Sequence, residues 1–341
     1  MGEISTIGLD IAKQVFHAHG VDASGATVFS RRITRQRLLE FFAAQPRCTV
    51  AMEACAGSHH WGRELQRMGH QVRLIAPAYV TPFVKRQKND AADAAAICEA
   101  AQRPTMRFVP VKSETQQASA AVFRARDLLV RQRTQTINAL RGLLAEHGWI
   151  APKGLFHVGK LIARIEDPSC DLPVSARSVF LVMIDSIKQQ DQRIRELDRE
   201  ITARAREDAD ARRLMTIPGI GPITATALLA LAPPVESFRN GRDFAAWMGL
   251  TPLQRSSGGK QKLGAISKMG ERTLRRLLII GSSAVVLQVA KRGAPRGSWL
   301  EQMMARKPRM LVTVALANKS ARIVWAVLAK QEDYRAPVAA A

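Results

Sequence analysis

The chain opens on an apolar run, Ile4-Ser5-Thr6-Ile7-Gly8-Leu9-Asp10, that ends on a carboxylate. Further β-rich runs at 15–18 and 28–33 predict two more strands, so the segment begins as a meander. Apolar positions then predict a short helix at 38–44, a buried strand at 48–53, a helix at 60–68 and a strand at 71–76. Strands followed by alternating helices and strands describe an α/β domain with parallel pairing in its second half. Over 113–148 the period becomes helical, with Val122, Leu129, Ile137, Leu140 and Leu144 at compatible spacing. A second long helix is predicted over 178–207. Ile187, Ile194, Leu197 and Ile201 there approximate a heptad seam that Gln190 and Arg204 weaken, so the spacing leaves open a coiled coil with another copy or packing within one subunit. Prolines and glycines over 149–177 predict an irregular connector. From Arg213 the pattern is helical again, broken at Pro218-Gly219-Ile220-Gly221-Pro222, Gly249-Leu250-Thr251-Pro252 and Ser256-Ser257-Gly258-Gly259. The expected architecture is α/β plus all-α: an α/β domain at 1–112, a helical linker or dimerisation region at 113–207, and a mostly helical domain at 208–341.

Charge changes the picture from a fold to a partner. The 341 residues carry a formal charge of +22, and the last third, residues 213–341, contributes 20 basic against 6 acidic side chains. Such an excess makes the compact state repel itself unless a polyanion offsets it, and nucleic acid is the first candidate. No uninterrupted run of about 18 apolar residues is present, so no membrane partner is expected. Cys48, Cys55, Cys98 and Cys170 are scattered without a CxxC pair, which suggests neither zinc knuckle nor disulfide framework; they read as buried thiols of a cytoplasmic protein.

Four carboxylates stand at chemically suggestive places. Asp10 and Glu53 end apolar strands, and Asp90 and Asp93, three residues apart, start an Ala-rich helix. Singly, each has an ordinary explanation, such as Asp90 as a helix N-cap. Together, acids from strand ends and one helix face can converge, and such a cluster stays ionised only with cations, as in two-metal phosphoryl-transfer sites. Hard oxygen ligands favour Mg²⁺ or Mn²⁺. An actin-like kinase also opens with a strand ending in Asp, but Ile11-Ala12-Lys13 follows here in place of small phosphate-wrapping residues.

These residues, with Met52-Glu53-Ala54, the Lys88-Asn89-Asp90-Ala91-Ala92-Asp93-Ala94 run, Ile217-Pro218-Gly219-Ile220-Gly221 and the Gly249-Leu250-Thr251-Pro252 block, carry a resemblance over nearly the whole chain. They look like the DEDD transposases of the insertion-sequence family numbered one hundred and ten. The resemblance implies a RuvC-like, ribonuclease-H-type first domain with Asp10, Glu53, Asp90 and Asp93 as its acidic tetrad. It also implies a C-terminal transposase domain whose serine nucleophile precedes a glycine, which selects Ser257, with Ser256 as a possible substitute. No histidine lies near Ser257 in sequence, so activation would come from the acidic domain and its metal, in one subunit or across a dimer, with Arg255, Lys260 and Lys262 stabilising phosphate charge.

The turn around Gly219 and Gly221 resembles a helix-hairpin-helix element that can hold a phosphate backbone, although a turn between packed helices is the commoner use of such a sequence. Lys260, Lys262, Lys268, Arg272, Arg275 and Arg276 form a basic run that predicts salt-dependent binding. Aromatic residues are 5% of the chain, which leaves little for base stacking. The expected partners are double-stranded DNA, a homo-oligomeric dimer or tetramer and, from the resemblance alone, a noncoding guide RNA. The competing readings are a junction resolvase that cuts with metal-activated water and a basic nucleic-acid-binding protein without catalysis. A tyrosine recombinase recedes, because Tyr79 and Tyr334 are the only tyrosines.

Overall fold

The computed structural model describes residues 3–84, 89–154, 156–256 and 258–336. The chain forms two compact units that divide between Gln117 and Ala118. In the first, β1 (Ile4–Asp10), β2 (Val15–Asp22) and β3 (Thr27–Thr34) form an antiparallel meander. Helix α1 (Leu38–Ala43) leads into β4 (Thr49–Glu53), and α2 (Ser58–Arg67) into β5 (Gln71–Ile75). Strand β4 runs parallel to β1, and β5 parallel to β4. Helices α3 (Pro77–Val80) and α4 (Asp90–Ala101) precede a two-residue edge strand, β6 (Phe108–Val109), antiparallel to β5. The sheet order is β3-β2-β1-β4-β5-β6. This mixed sheet agrees with the α/β expectation and is consistent with a ribonuclease-H-type domain.

Strand alternation divides the sheet into two chemically different faces. Ile7, Leu9, Val50, Met52 and Leu74 point to one side and pack with Leu38, Phe42, Trp61 and Leu65 of α1 and α2. Each such side chain, fully buried, contributes about 1.5–3 kcal/mol. The intervening positions, Gly8 and Ala51, are small, and α4 lies over them with Ala96, Ile97, Ala100 and Ala101 in a second cluster. At Gly8 the approach is so close that a Cβ would collide with the Ala94 carbonyl and come within 2.6 Å of the Cys98 amide nitrogen.

Helix α5 (Glu114–Ala145) begins in the first unit and continues into the second. The stretch predicted as an irregular connector contains an 11-residue helix, α6 (Phe156–Glu166), and α7 (Val174–Glu207) starts ahead of the predicted position 178. Prolines and glycines bracket α6, but its buried Val158, Leu161 and Ile165 form an apolar stripe whose partners lie far along the chain: Ile137, Leu140 and Leu144 of α5 with Phe180, Ile184 and Ile187 of α7. Tertiary packing thereby overrides the local breaker signal.

Helices α5 and α7 run antiparallel, bridged by Arg126 to Asp198 and Arg133 to Asp191, each at 2.5 Å. Seven-residue steps in opposite directions keep both bridges on one seam, and Ile187, Ile194 and Ile201 are buried in this chain. Partly exposed pairs of this kind are worth about 0.5–1 kcal/mol. A double-mutant cycle on Arg126→Ala and Asp198→Ala, read by denaturant unfolding, is expected to return a coupling of that size; zero coupling would mean that the pair does not act in solution.

The remainder of the second unit comprises α8 (Ala209–Met215), α9 (Pro222–Leu231), α10 (Gly241–Trp247), the hairpin β7 (Pro252–Gln254) and β8 (Leu263–Ile266), then α11 (Arg272–Arg292), α12 (Trp299–Arg306) and α13 (Arg309–Lys330). Leu228, Phe244, Met248, Leu274, Leu278 and Val324 anchor its core. The hairpin was not anticipated, since its strands are three and four residues long and almost wholly exposed. Helices α11 and α13 hold no uninterrupted apolar run of 18 residues, but they are long and apolar enough to span by length and mean composition; Leu274, Leu278, Val324 and Leu328 of these helices are buried in the protein core. Two of the four thiols depart from expectation: Cys48 and Cys98 are buried, but Cys55 is exposed and Cys170 half-buried.

Candidate active site

Parallel pairing aligns Leu9 with Met52, so Asp10 and Glu53 occupy equivalent positions at the carboxyl ends of neighbouring strands. Alternation assigns Asp10 to the face of Gly8, and Glu53 to the face of Ala51. Both therefore stand on the side that α4 covers. Helix α4 runs antiparallel to β1: Cys98 Sγ lies 3.9 Å from the Thr6 carbonyl oxygen, while Gly8 abuts Ala94 as well as Cys98. Two strand residues rise about 6.6 Å and four helix residues about 6 Å, so the next matched step brings Asp10 toward residues 90–93.

The N-cap of α4 is Asn89, whose side chain accepts from the Ala92 amide at 2.8 Å; the sequence suggestion that Asp90 caps the helix is corrected accordingly. Asp90 and Asp93 instead occupy its first turn, where the helix dipole favours negative charge. The carboxyl of Asp10 feels the whole group. Burial, then repulsion from Asp93, Asp90 and Glu53, pushes its pKa up to about 6, against the opposing hydrogen bond from the Ile11 amide.

This donor set fits a hard divalent cation, because a positive ion would relieve both the burial and the mutual repulsion. Among the described residues, no three His, Cys, Asp or Glu side chains form a finished metal cage. Repulsion reaches roughly 8–10 Å in physiological salt, whereas ligation requires about 2.0–2.6 Å. The acids are thus electrostatically gathered without being drawn into ligating contact.

His17 belongs to the same face and escaped the sequence reading. It pairs with Asp10 across β1 and β2, is 9% exposed, and shares a 2.9 Å hydrogen bond between Nε2 and Ser30 Oγ. Burial lowers its pKa, the charge of Asp90 opposes that shift, and Arg32 assists it. Its only sequence signal was the register of the predicted meander around Asp10.

Ser257 lies outside the described residues. At the end of the β7–β8 hairpin the Arg255 amide donates to the Lys262 carbonyl at 2.8 Å and Gln254 Nε2 to Ser256 Oγ at 3.3 Å. Ser256, Arg255, Lys260 and Lys262 are exposed there, and Lys268 and Arg272 are exposed nearer the start of α11. Arg275 and Arg276, expected in the same basic run, already have partners in the protein. Arg275 donates to the Met248 and Met269 carbonyls at 2.8 and 2.7 Å, and Arg276 pairs with Asp127. Gly219, in the turn before α9, abuts Gly281 of α11, whereas Gly221 caps α9 with open space beside it. A further cationic groove, unforeseen from sequence, runs along α7 past Arg195, Arg199 and Arg206; its Asp198 is the residue bridged by Arg126.

The chain matches two transposase family models. One, described as a transposase of the DEDD type, covers residues 7–148, and the other, described as transposase IS116/IS110/IS902 family, covers residues 211–296. A probable family 20 transposase of Pseudomonas aeruginosa is 48% identical over 97% of this chain and 99% of its own length. The chain belongs to this transposase family. Transposases for insertion sequence elements IS1328 of Yersinia enterocolitica and IS1111A of Coxiella burnetii are 39% and 38% identical, over 96% and 98% of the chain and 97% and 92% of their own lengths. As a family member, this transposase is a DNA-cutting and rejoining enzyme.

Proposed function

We propose that this transposase cuts and rejoins double-stranded DNA through a covalent phosphoserine link at Ser257, with Asp10, Glu53, Asp90 and Asp93 as its acidic tetrad. The observation that supports this most strongly is the shared face of Asp10 and Glu53 under the first turn of α4, with Asp10 raised by burial and then by its three acidic neighbours. Those four carboxylates would hold Mg²⁺ or Mn²⁺. The bound ion would supply positive charge against the phosphate and lower the cost of developing oxyanions.

In the cleavage step the Ser257 hydroxyl oxygen forms a new bond to phosphorus as the bond to one deoxyribose oxygen breaks. The serine loses its proton, and the leaving oxygen gains one. Reversal by another strand's hydroxyl rejoins DNA without external energy, because the phosphoester bond is conserved. Arg255, Lys260 and Lys262 flank the serine loop with exposed positive charge suited to phosphate. Lys268, Arg272 and the Gly219 to Gly221 turn as a helix-hairpin-helix element extend the nucleic-acid surface in this reading, whereas Arg275 and Arg276 of the same basic run hold protein partners. The segment 113–207 acts as a linker and dimerisation region between the acidic domain at 1–112 and the serine-bearing domain at 208–341. An element-encoded RNA supplies sequence choice, and the protein works as a dimer or tetramer on the nucleoid of a bacterial cytoplasm.

The test is trapping of a denaturation-resistant protein–DNA adduct. Adduct from parent and Ser256→Ala, but none from Ser257→Ala, is the expected pattern. Equal adduct from both variants would reject Ser257. Cleavage without adduct in any of the three proteins would favour a resolvase using activated water.

A further inference from the structure

The β7–β8 hairpin has almost no core of its own. Leu253 is 41% exposed and Leu263 59% exposed, and the strands bury only the Ile266 end in part. What holds it is a compact joint at its feet. The Lys268 amide donates to the Gly249 carbonyl at 3.1 Å, and the Ser267 amide to the Thr251 carbonyl at 2.8 Å. Gly249 and Gly270 both adopt positive φ, 68° and 71°. A Cβ on Gly249 would lie 2.5 Å from the Met269 amide nitrogen and 2.8 Å from Arg275 Nη1, while one on Gly270 would collide with the Trp247 carbonyl. Into this joint α11 sends one guanidinium. Nη1 of Arg275 bonds the Met248 carbonyl on the incoming foot and the Met269 carbonyl on the outgoing foot.

We infer that Arg275 is a positioning residue that clamps the two feet of the hairpin and so fixes its far end, where Arg255 and Ser256 lie, and is not itself a phosphate contact. The inference rests on the proposed role of the serine loop, but its structural half can be measured separately. Both bonds leave one terminal nitrogen, which stands one bond further from the backbone than the ammonium of a lysine would. A lysine at this position would preserve the charge but fall short of the two carbonyls. A residue used for phosphate binding would instead tolerate lysine and register in the salt dependence of binding.

The experiment uses the full chain with Arg275→Ala and Arg275→Lys. Limited trypsin digestion reads cutting after the exposed Arg255, Lys260 and Lys262, and titration with duplex DNA at several salt concentrations reads phosphate contacts. Both variants are expected to be cut at the hairpin about tenfold faster than the parent, as loss of a charge-assisted bond raises local opening. The slope of log affinity against log salt should stay at the parental value, and adduct formation should fall in both. Unchanged hairpin cutting overturns the inference. So does a salt slope that falls by about 0.9 in Arg275→Ala and returns in Arg275→Lys, since that is the signature of one phosphate contact. If Arg275→Ala does not fold, Arg275→Lys alone decides by the same two readings. If both variants open the hairpin but the parent gives no adduct at all, the clamp stands and the serine-nucleophile reading fails.

Discussion

Asp10→Asn is expected to cut strand cleavage steeply and, in the same protein without divalent metal, to increase stability. The parent holds a carboxylate that burial and three acidic neighbours push from 3.8 to about 6. Because the folded-state value lies above the unfolded one, the ionised group destabilises the fold fully above about pH 6, and the cost fades as pH falls toward 3.8. Discounted for partial solvent screening, the gain from the neutral isostere is about 1–2 kcal/mol at pH 7. Melting curves in chelator across this pH range should show the variant ahead at pH 7 and level with the parent near pH 4. Cleavage should fall by about 100-fold or more, the scale lost when a preorganised electrostatic group leaves a phosphoryl-transfer site. A variant less stable than the parent at pH 7 would show that Asp10 is paired rather than repelled. Such opposite effects on stability and activity are what a functional cluster of like charges produces.

Gly8→Val should have the second large effect, this time lowering stability and metal affinity together. The obstacles to a side chain at Gly8 are backbone atoms, the Ala94 carbonyl and Cys98 amide, which no rotamer change can move aside. Forcing α4 off β1 is expected to cost about 3 kcal/mol. It would also carry Asp90 and Asp93 away from Asp10, so Mn²⁺ binding measured by calorimetry should weaken along with the melting temperature. Gly8→Ala should show a smaller version of both. Parental melting and parental Mn²⁺ affinity in Gly8→Val would rule out the matched step of helix and strand as the device that gathers the acids.

The acidic site was therefore legible in its members but not in its assembly. Asp10 and Glu53 were visible because apolar strands end on them, and Asp90 and Asp93 because they share a helix turn. Gly8 passed unnoticed, as its significance lies in Ala94 and Cys98 more than 80 positions away. His17 was equally silent until the antiparallel register set it opposite Asp10. In the second unit the basic run read as one surface, yet Arg275 and Arg276 are spent on protein partners while Arg255, Lys260 and Lys262 remain exposed. Composition cannot separate these, since an arginine that clamps two carbonyls and one that awaits a phosphate are the same letter.

Local pattern alone determined the meander, the parallel second half of the sheet, the two long helices and the placement of acids at element ends. The elements themselves depend on residues a few positions apart, where period and capping act directly, and the parallel pairing follows from the order in which strands and helices alternate. Tertiary structure alone decided that α6 forms between breakers, that α5 and α7 pair through Arg126–Asp198 and Arg133–Asp191, and that α4 descends on Gly8 closely enough to bring its carboxylates to the strand ends. Those outcomes depend on contacts between distant segments, whose free energy exists only once the chain has folded back on itself.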